Sequence, residues 1–339
     1  MRVLAFETSC DETAVAVVSD GRHIHASVVR SQIDLHRLYG GVVPEIASRA
    51  HVESITQLTR EALKQASCSL CDIDAVAVTA WPGLIGALIV GVNFAKSLAF
   101  SAGLPIIPVH HLRGHVASAY LTDPSLSPPF LCLIVSGGHT SLVWVEGLTT
   151  FKTLGSTRDD AAGECFDKVA RMMGLPYPGG VALDQLSQGG DATAYTFPYP
   201  VVRGAPLDFS FSGLKTAAFN QINRIQQQGE TLHASDFAAS LSSSVADLLC
   251  GGVELAVRET GAKKIAIVGG VAANSVLRIR AQEVASRLDV QLVVPERALC
   301  GDNAAMIGAQ AAFEYHAGVR GDSTLNAQAT MGIEGTASQ

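Results

Sequence analysis

Val3-Leu4-Ala5-Phe6-Glu7-Thr8, the polar turn Ser9-Cys10-Asp11-Glu12-Thr13 and the run Ala14-Val15-Ala16-Val17-Val18 open the chain and decide its fold. Apolar runs bounded by Asp, Ser and Gly read as strands joined by tight turns, and Asp20-Gly21 then leads to a third strand from His23 to Val29. The same order returns later. Phe130-Leu131-Cys132-Leu133-Ile134-Val135 is a strand, Ser136-Gly137-Gly138-His139-Thr140 a turn, Ser141-Leu142-Val143-Trp144-Val145 a returning strand, and a third lies near Phe151 to Leu154.

Working outward, the later segments repeat too. Ala75 to Thr79 leads through Pro82-Gly83-Leu84-Ile85-Gly86 into a helix ending near Phe100, followed by a short strand from Pro105 to Val109. Lys264 to Val268 leads through Gly269-Gly270-Val271 into a helix beginning near Asn274, followed by a strand from Val290 to Val294. Two copies of β-β-β-α-β-α-β predict an α/β protein of two lobes related by pseudo-twofold symmetry, with a cleft between them. Pro128-Pro129 marks the boundary. The expected lobes are 1–126 and 127–339, with a C-terminal helix from about 302 packing back on the first. By topology this resembles the RNase H-like lobes of the actin, hexokinase and heat-shock ATPase superfamily. In such a frame, turns of small residues let backbone N–H groups and helix N-termini approach a polyphosphate.

The bulk composition sets limits. The 339 residues favour two domains, and 48% hydrophobic with 16% charged residues supplies sizeable cores. Asp11 interrupts the first apolar run, so it does not read as a signal peptide, and no stretch of about 20 residues is apolar throughout. The expected compartment is the cytoplasm, with no membrane association. Seven cysteines, an odd number, argue against a disulfide framework, and the single Cys68-Ser69-Leu70-Cys71 pair reads as structurally neutral. A net charge of −7 is unlike that of a protein that grips nucleic acid unaided.

His111 and His115 form the sharpest chemical signal. The i, i+4 spacing puts two imidazoles on one helix face, where they can share a metal ion. The pair follows the Pro105–Val109 strand, and at the equivalent place in the second half lies Cys300-Gly301-Asp302-Asn303. Pseudo-symmetry predicts that Asp302 approaches the histidines across the cleft, while His110 points elsewhere. Two histidines and a carboxylate leave positions open and suit iron or zinc.

Asp11 and Glu12, on the first turn, can take a proton or position a nucleophile. Asp159 and Asp160 are read as opening a helix that continues through Asp167. Asp167 and Asp184 suit ribose hydroxyls, with Pro178-Gly179-Gly180 letting a nucleoside approach the backbone. Ser210 to Thr216 holds a Lys after a Gly but lacks the GxxxxGK[ST] spacing of a Walker loop.

These motifs resemble one family from residue 1 to about residue 320. They are Glu7 to Thr13, Gly40-Gly41-Val42-Val43-Pro44-Glu45, His110-His111 with Gly114-His115, Val135 to Thr140, Asp159 to Asp167, Tyr177 to Gly180, Asp208 to Thr216, and Gly269 to Asn274. The family is the universal tRNA threonylcarbamoyladenosine synthase subunit, TsaD in bacteria, once labelled a glycoprotease. The resemblance implies transfer of threonylcarbamoyl from threonylcarbamoyl-AMP to N6 of adenosine 37 in tRNAs reading codons that begin with A. It implies that His111, His115 and Asp302 hold one divalent or ferric ion per subunit, iron favoured over zinc. It implies that Val135, Ser136, Gly137, Gly138, His139, Asp167, Gly180, Asp184 and Asn274 bind the adenylate, and that Asp11 or Glu12 assists catalysis. The implied partners are tRNA, a catalytically silent TsaB-like paralogue and a small TsaE-like P-loop ATPase.

Three departures stand out: Trp81 in place of a small residue, Val181 in place of proline after Gly180, and a tail from Ala317 to Gln339 without the arginine- and proline-rich ending of bacterial members. Val181 predicts a looser turn. A metalloprotease would need a base after His111, where Leu112 stands. A small-metabolite kinase of the same fold leaves the histidine pair unexplained, and a nucleotide-binding scaffold would not need it.

Overall fold

The computed structural model describes residues 1–335; the last four positions of the departing tail, 336–339, lie outside the described residues. The chain divides into two compact units. Unit 1 comprises Met1–Pro128, Val145–Lys152 and Pro295–Gln339, and unit 2 comprises Pro129–Trp144 and Thr153–Val294.

In unit 1 the strands are β1 (Arg2–Glu7), β2 (Glu12–Ser19), β3 (His23–Ser31), β4 (Ala75–Trp81) and β5 (Ile106–His110), in the sheet order β3-β2-β1-β4-β5. The helices are α1 (Ile33–Arg37), α2 (Pro44–Gln65), α3 (Ile85–Ala102) and α4 (His111–Thr122). β1 pairs antiparallel with β2 and parallel with β4, and β4 is parallel to β5. Strands buried on both faces read as unbroken apolar runs. The runs alternate in size, however. Leu4, Phe6, Val15, Val17, Val76 and Val78 pack with Ile55 and Leu58 of α2 and with Leu88 and Val92 of α3. Ala5, Ala14, Ala16, Ala75 and Ala77 join the other cluster, whose small side chains admit a helix at close range.

Unit 2 repeats the order: β6 (Phe130–Val135), β7 (Thr140–Val145), β8 (Phe151–Ser156), α5 (Ala162–Met172), α6 (Gly179–Leu186), α7 (Ser212–Gln227), α8 (Ala234–Thr260), β9 (Lys264–Val268), α9 (Ser275–Leu288) and β10 (Gln291–Val293). Its sheet runs β10-β9-β6-β7-β8, with β6, β9 and β10 parallel. Both α3 and α8 are long and apolar enough to cross a membrane by length and composition. Here α3 lies on α2 and β4, and α8 lies on α6 and α9.

The chain ends with α10 (Arg297–Cys300) and α11 (Ala304–His316), both in unit 1. α11 reads AAMIGAQAAFEYH and packs on β1, β2, β5 and α4. The contact depends on missing side chains. A Cβ on Gly308 would lie 2.9 Å from Val18 Cγ2 and 3.2 Å from Ala5 Cβ, and one on Gly114 of α4 would lie 2.6 Å from Ile307 Cδ1. The tail returns along the same unit: Gly321 N donates to Ile106 O, Gln328 N to Ala80 O, and the buried Arg113 guanidinium to Ile333 O, Gly335 O and Glu314.

Two local expectations change. Gly179, Gly180 and Val181 form the first turn of α6, so the site of Val181 is a helix start and not a loose turn. Trp81 is buried in the α2/α3-side core, filling space beside Ala80 and Leu88. Gly308→Val forces branched carbons into the β1/β2 face and is expected to cost about 1–3 kcal/mol by overpacking. Thermal melting checks this; an unchanged melting temperature would contradict the close-approach account.

Candidate functional site

β5 ends at His110, and α4 starts at His111. His110 caps the helix, its Nδ1 accepting from Leu112 N, and its Nε2 faces Met331 O at 3.2 Å, so it is directed away from the pair as expected. His111 and His115 stand one turn apart, with ring centroids 4.7 Å apart. Asp302 arrives from the loop before α11. Asn303 fixes that loop by accepting from Met306 N and donating to Gly301 O. Asp302 Oδ1 then lies 3.5 Å from His111 Nε2 and 3.2 Å from His115 Nε2. One ligand atom from each of the three lies within 4.8 Å of the others.

The sequence predicted that Asp302 would reach across a cleft; instead it belongs to the same compact unit as both histidines. The reason is the packing of α11 on the small-residue face of the first sheet and against α4.

The donor set fits a metal ion. His115 is fully buried, yet neither ring nitrogen makes a properly directed hydrogen bond among the described residues. Burial lowers its pKa and Asp302 only partly opposes this, so it is a neutral imidazole with lone-pair capacity. Burial works to lower His111 too, but Asp302 and Glu7 outweigh it and hold that imidazole up to about 9 without a metal. A metal ion held by His111, His115 and Asp302 would take the place of that proton.

The turn before β2 adjoins this centre. His51 of α2 pins it, with Nε2 at 2.9 Å from Cys10 O and Nδ1 at 2.8 Å from Thr13 Oγ1. Asp11 is buried, and its carbonyl accepts from Gln32 N. Glu12 receives a hydrogen bond from Ser31 Oγ at 3.3 Å. Burial, then the charges of Asp302 and Asp11, push the Glu12 carboxyl up to about 10 in the metal-free chain. Such stacking of acidic groups is relieved by a nearby cation.

In unit 2 the residues expected to bind an adenylate form a closed set of neighbours. Gly269, at φ +97°, follows β9, and a Cβ there would lie 2.4 Å from Val135 O. Ser136 N donates to His139 O, and Ser136 O accepts from Gly163 N at the start of α5. Asp167 of α5 accepts from Gly180 N at 3.1 Å, and Asp184 of α6 accepts from Ser275 N and Ser275 Oγ at 2.9 and 2.6 Å. Asn274 caps α9 by accepting from Leu277 N. The N-termini of α5, α6 and α9 therefore join one ring of contacts with the glycine turn. Cβ atoms on Gly137, Gly138 or Gly270 would meet nothing within 4 Å, which leaves open backbone of the kind an anion approaches.

Asp159 and Asp160 do not open the helix as the sequence suggested. They precede α5 and tie it to α7, Asp159 accepting from Phe211 N, Ser210 Oγ and Ser212 Oγ, Asp160 from Lys215 and Lys168. Competition from these long-range donors wins over helix capping. Sequence reasoning also missed Glu7, Ser9 and Thr79 around His111, and Gly163 and Ser275 around the glycine turn. Only the small residue types gave a signal for the last two. A Cβ on Gly163 would meet Gly137 Cα at 2.7 Å.

The His111 shift sets a pH dependence. Its folded pKa lies above the unfolded value of about 6.5, so folding favours the protonated ring. That stabilisation is complete below about 6.5 and is lost as pH rises to about 9. Metal-free protein is therefore expected to melt at progressively lower temperature across this window, and His111→Asn should flatten the profile. Identical profiles for the two proteins would contradict the ion-pair account of His111.

Comparison with known proteins bears on the whole chain. The family profile described as tRNA N6-adenosine threonylcarbamoyltransferase, TsaD, matches residues 23–309. A protein of that name from Moorella thermoacetica is 51% identical over 313 residues, covering 92% of each chain. One from Trichlorobacter lovleyi is 47% identical, covering 98% of this chain and 97% of the other. Among solved structures, HypF from T. kodakarensis superposes with a TM-score of 0.62 at 14% identity, over 94% of this chain and 48% of its own. Component A of the Acidaminococcus fermentans (R)-2-hydroxyglutaryl-CoA dehydratase gives 0.55 at 16% identity, over 93% and 99%. At such identities the likeness is one of fold alone, that of two α/β units each built on a five-stranded sheet. With the profile spanning most of its length and relatives near half identical, the chain belongs to the TsaD family of tRNA N6-adenosine threonylcarbamoyltransferases.

Proposed function

We propose that this chain transfers a threonylcarbamoyl group from threonylcarbamoyl-AMP to N6 of adenosine 37 in tRNAs reading codons that begin with A. The observation that carries the reading is the convergence of His111, His115 and Asp302, within 4.8 Å, in a chain whose relatives bear that activity's name over nearly their full length. Bound at the triad, one divalent or ferric ion, iron before zinc, would supply Lewis-acid stabilisation of developing negative charge.

The remaining roles fall to the chain's own groups. Open backbone at Gly137 and Gly138, with Val135, Ser136 and His139, receives the phosphate of the adenylate. Asp167, Gly180, Asp184 and Asn274 hold the turns that receive its nucleoside. The tRNA amine attacks the carbamoyl carbon, the bond from that carbon to the phosphate oxygen breaks, and AMP leaves. Asp11 or Glu12 takes the amine proton or positions the amine. The anticodon loop presents its bases unpaired, so one can be splayed into a pocket. A net charge of −7 supports reliance on partners for phosphate contacts, here a TsaB-like paralogue and a TsaE-like ATPase, in the cytoplasm.

The test is modification of unmodified tRNA supplied with threonylcarbamoyl-AMP and the partner proteins. Wild type is expected to modify the tRNA, and His111→Ala to lose both metal and activity. Asp11→Asn or Glu12→Gln is expected to lower kcat by about 10²–10⁴-fold with metal content retained. Failure of folded, metal-loaded wild type to modify tRNA would overturn the assignment. Unchanged kcat in both carboxylate variants would remove the pair from the chemistry.

A further inference from the structure

Glu7 is the last residue of β1, and no part of it reaches solvent. An ionised carboxylate there is costly unless every lone pair is used. Three donors converge on it. Ser9 N donates to Oε1, Thr79 Oγ1 to Oε2 at 2.6 Å, and His111 Nδ1 faces Oε2 at 3.0 Å. β1, β4 and β5 are parallel neighbours, so the C-terminal ends of the three strands bring Glu7, Thr79 and His111 together. Ser9 Oγ also lies 3.2 Å from His111 Nδ1.

A neutral acceptor would satisfy Ser9 N and Thr79 Oγ1. The third partner, His111 Nδ1 at 3.0 Å, is the one that a carboxylate holds better than a neutral group. A carboxylate against Nδ1 keeps a proton on that nitrogen and leaves Nε2, which faces Asp302 and His115, as the nitrogen free to ligate once its own proton is displaced. Ligating imidazoles held in this way are fixed in tautomer and orientation, and become more basic donors.

We propose that Glu7 is a positioning residue for the metal centre: it orients His111 and fixes its tautomer so that Nε2 is the ligating atom. This rests on reading His111, His115 and Asp302 as a metal site. Thr79, buried and donating to the same oxygen, aims the carboxylate in turn. Glu7→Gln keeps the volume but turns an N–H₂ toward one of the three donors, so the alignment is lost.

The experiment titrates metal-free protein with cobalt(II), reading affinity, stoichiometry and the visible ligand-field spectrum, with thermal melts as the folding control. Wild type is expected to bind one ion and His111→Ala none at the site. Glu7→Gln is expected to bind about 10–100-fold more weakly with an altered spectrum, and Glu7→Asp to recover part of the loss. Thr79→Val, nearly isosteric, should show a smaller loss in the same direction, and it carries the test if Glu7→Gln does not fold. Wild-type affinity and spectrum in Glu7→Gln, or in Thr79→Val if the former is unfolded, overturn the role of Glu7 while leaving the triad intact. A wild type that binds no cobalt, or an undiminished His111→Ala, overturns the triad and the role of Glu7 together.

Discussion

The close packing of α11 on the alanine-rich face of the first sheet is the constraint on which the geometry of the His111, His115 and Asp302 cluster rests. Ala5, Ala14, Ala16, Ala75 and Ala77 leave room for a helix whose own contact residues are mostly Ala and Gly. Interiors pack at crystalline density, so a helix this close leaves no room for an added side chain at Gly308. Its N-cap, Asn303, then fixes the residue before it. Asp302 reaches two histidines far away in sequence because this buried surface fits, and the buried Arg113–Glu314 pair joins α4 to α11 beside it.

A second layer works from the opposite direction. The parallel strands β1, β4 and β5 run side by side, so polar groups near their C-terminal ends become neighbours once the sheet has formed. Glu7 accepts from a backbone amide, a hydroxyl and an imidazole, while His51 pins the turn that follows. Buried polar networks of this kind are stable when every member is satisfied. His115 differs: it is buried, and neither ring nitrogen makes a properly directed hydrogen bond among the described residues, a donor capacity that fits an ion.

Unit 2 builds a matching five-stranded sheet around a glycine turn. Its glycine turn is held by Gly163 and Gly269, where any side chain would strike Val135, Ser136 or Gly137. Asp167, Asp184 and Asn274 spend hydrogen bonds on holding helix starts, so their first role is to shape the ring around the turn. Groups fixed by such bonds meet a ligand without reorganising, which is how a site gains selectivity from backbone alone.

The sequence by itself determined the repeated strand order, the two small-residue turns and the His111/His115 pair. Periods of two and of 3.6 residues, and the punctuation by Gly and Pro, are local properties of the chain. It also placed His110 outside the pair, because neighbouring residues send their side chains in different directions, and His110 ends β5 and caps α4. Tertiary structure alone decided that Asp302 shares a unit with the histidines, that Asp159 and Asp160 tie α5 to the start of α7, and that Glu7 stands behind His111. Each depends on partners far away in sequence, such as Glu7 with Thr79 and His111, or Asp159 with Ser210 and Ser212. A glutamate at the end of an apolar strand carries no local mark of its partners; the parallel crossovers that bring them together exist only once the sheet has formed.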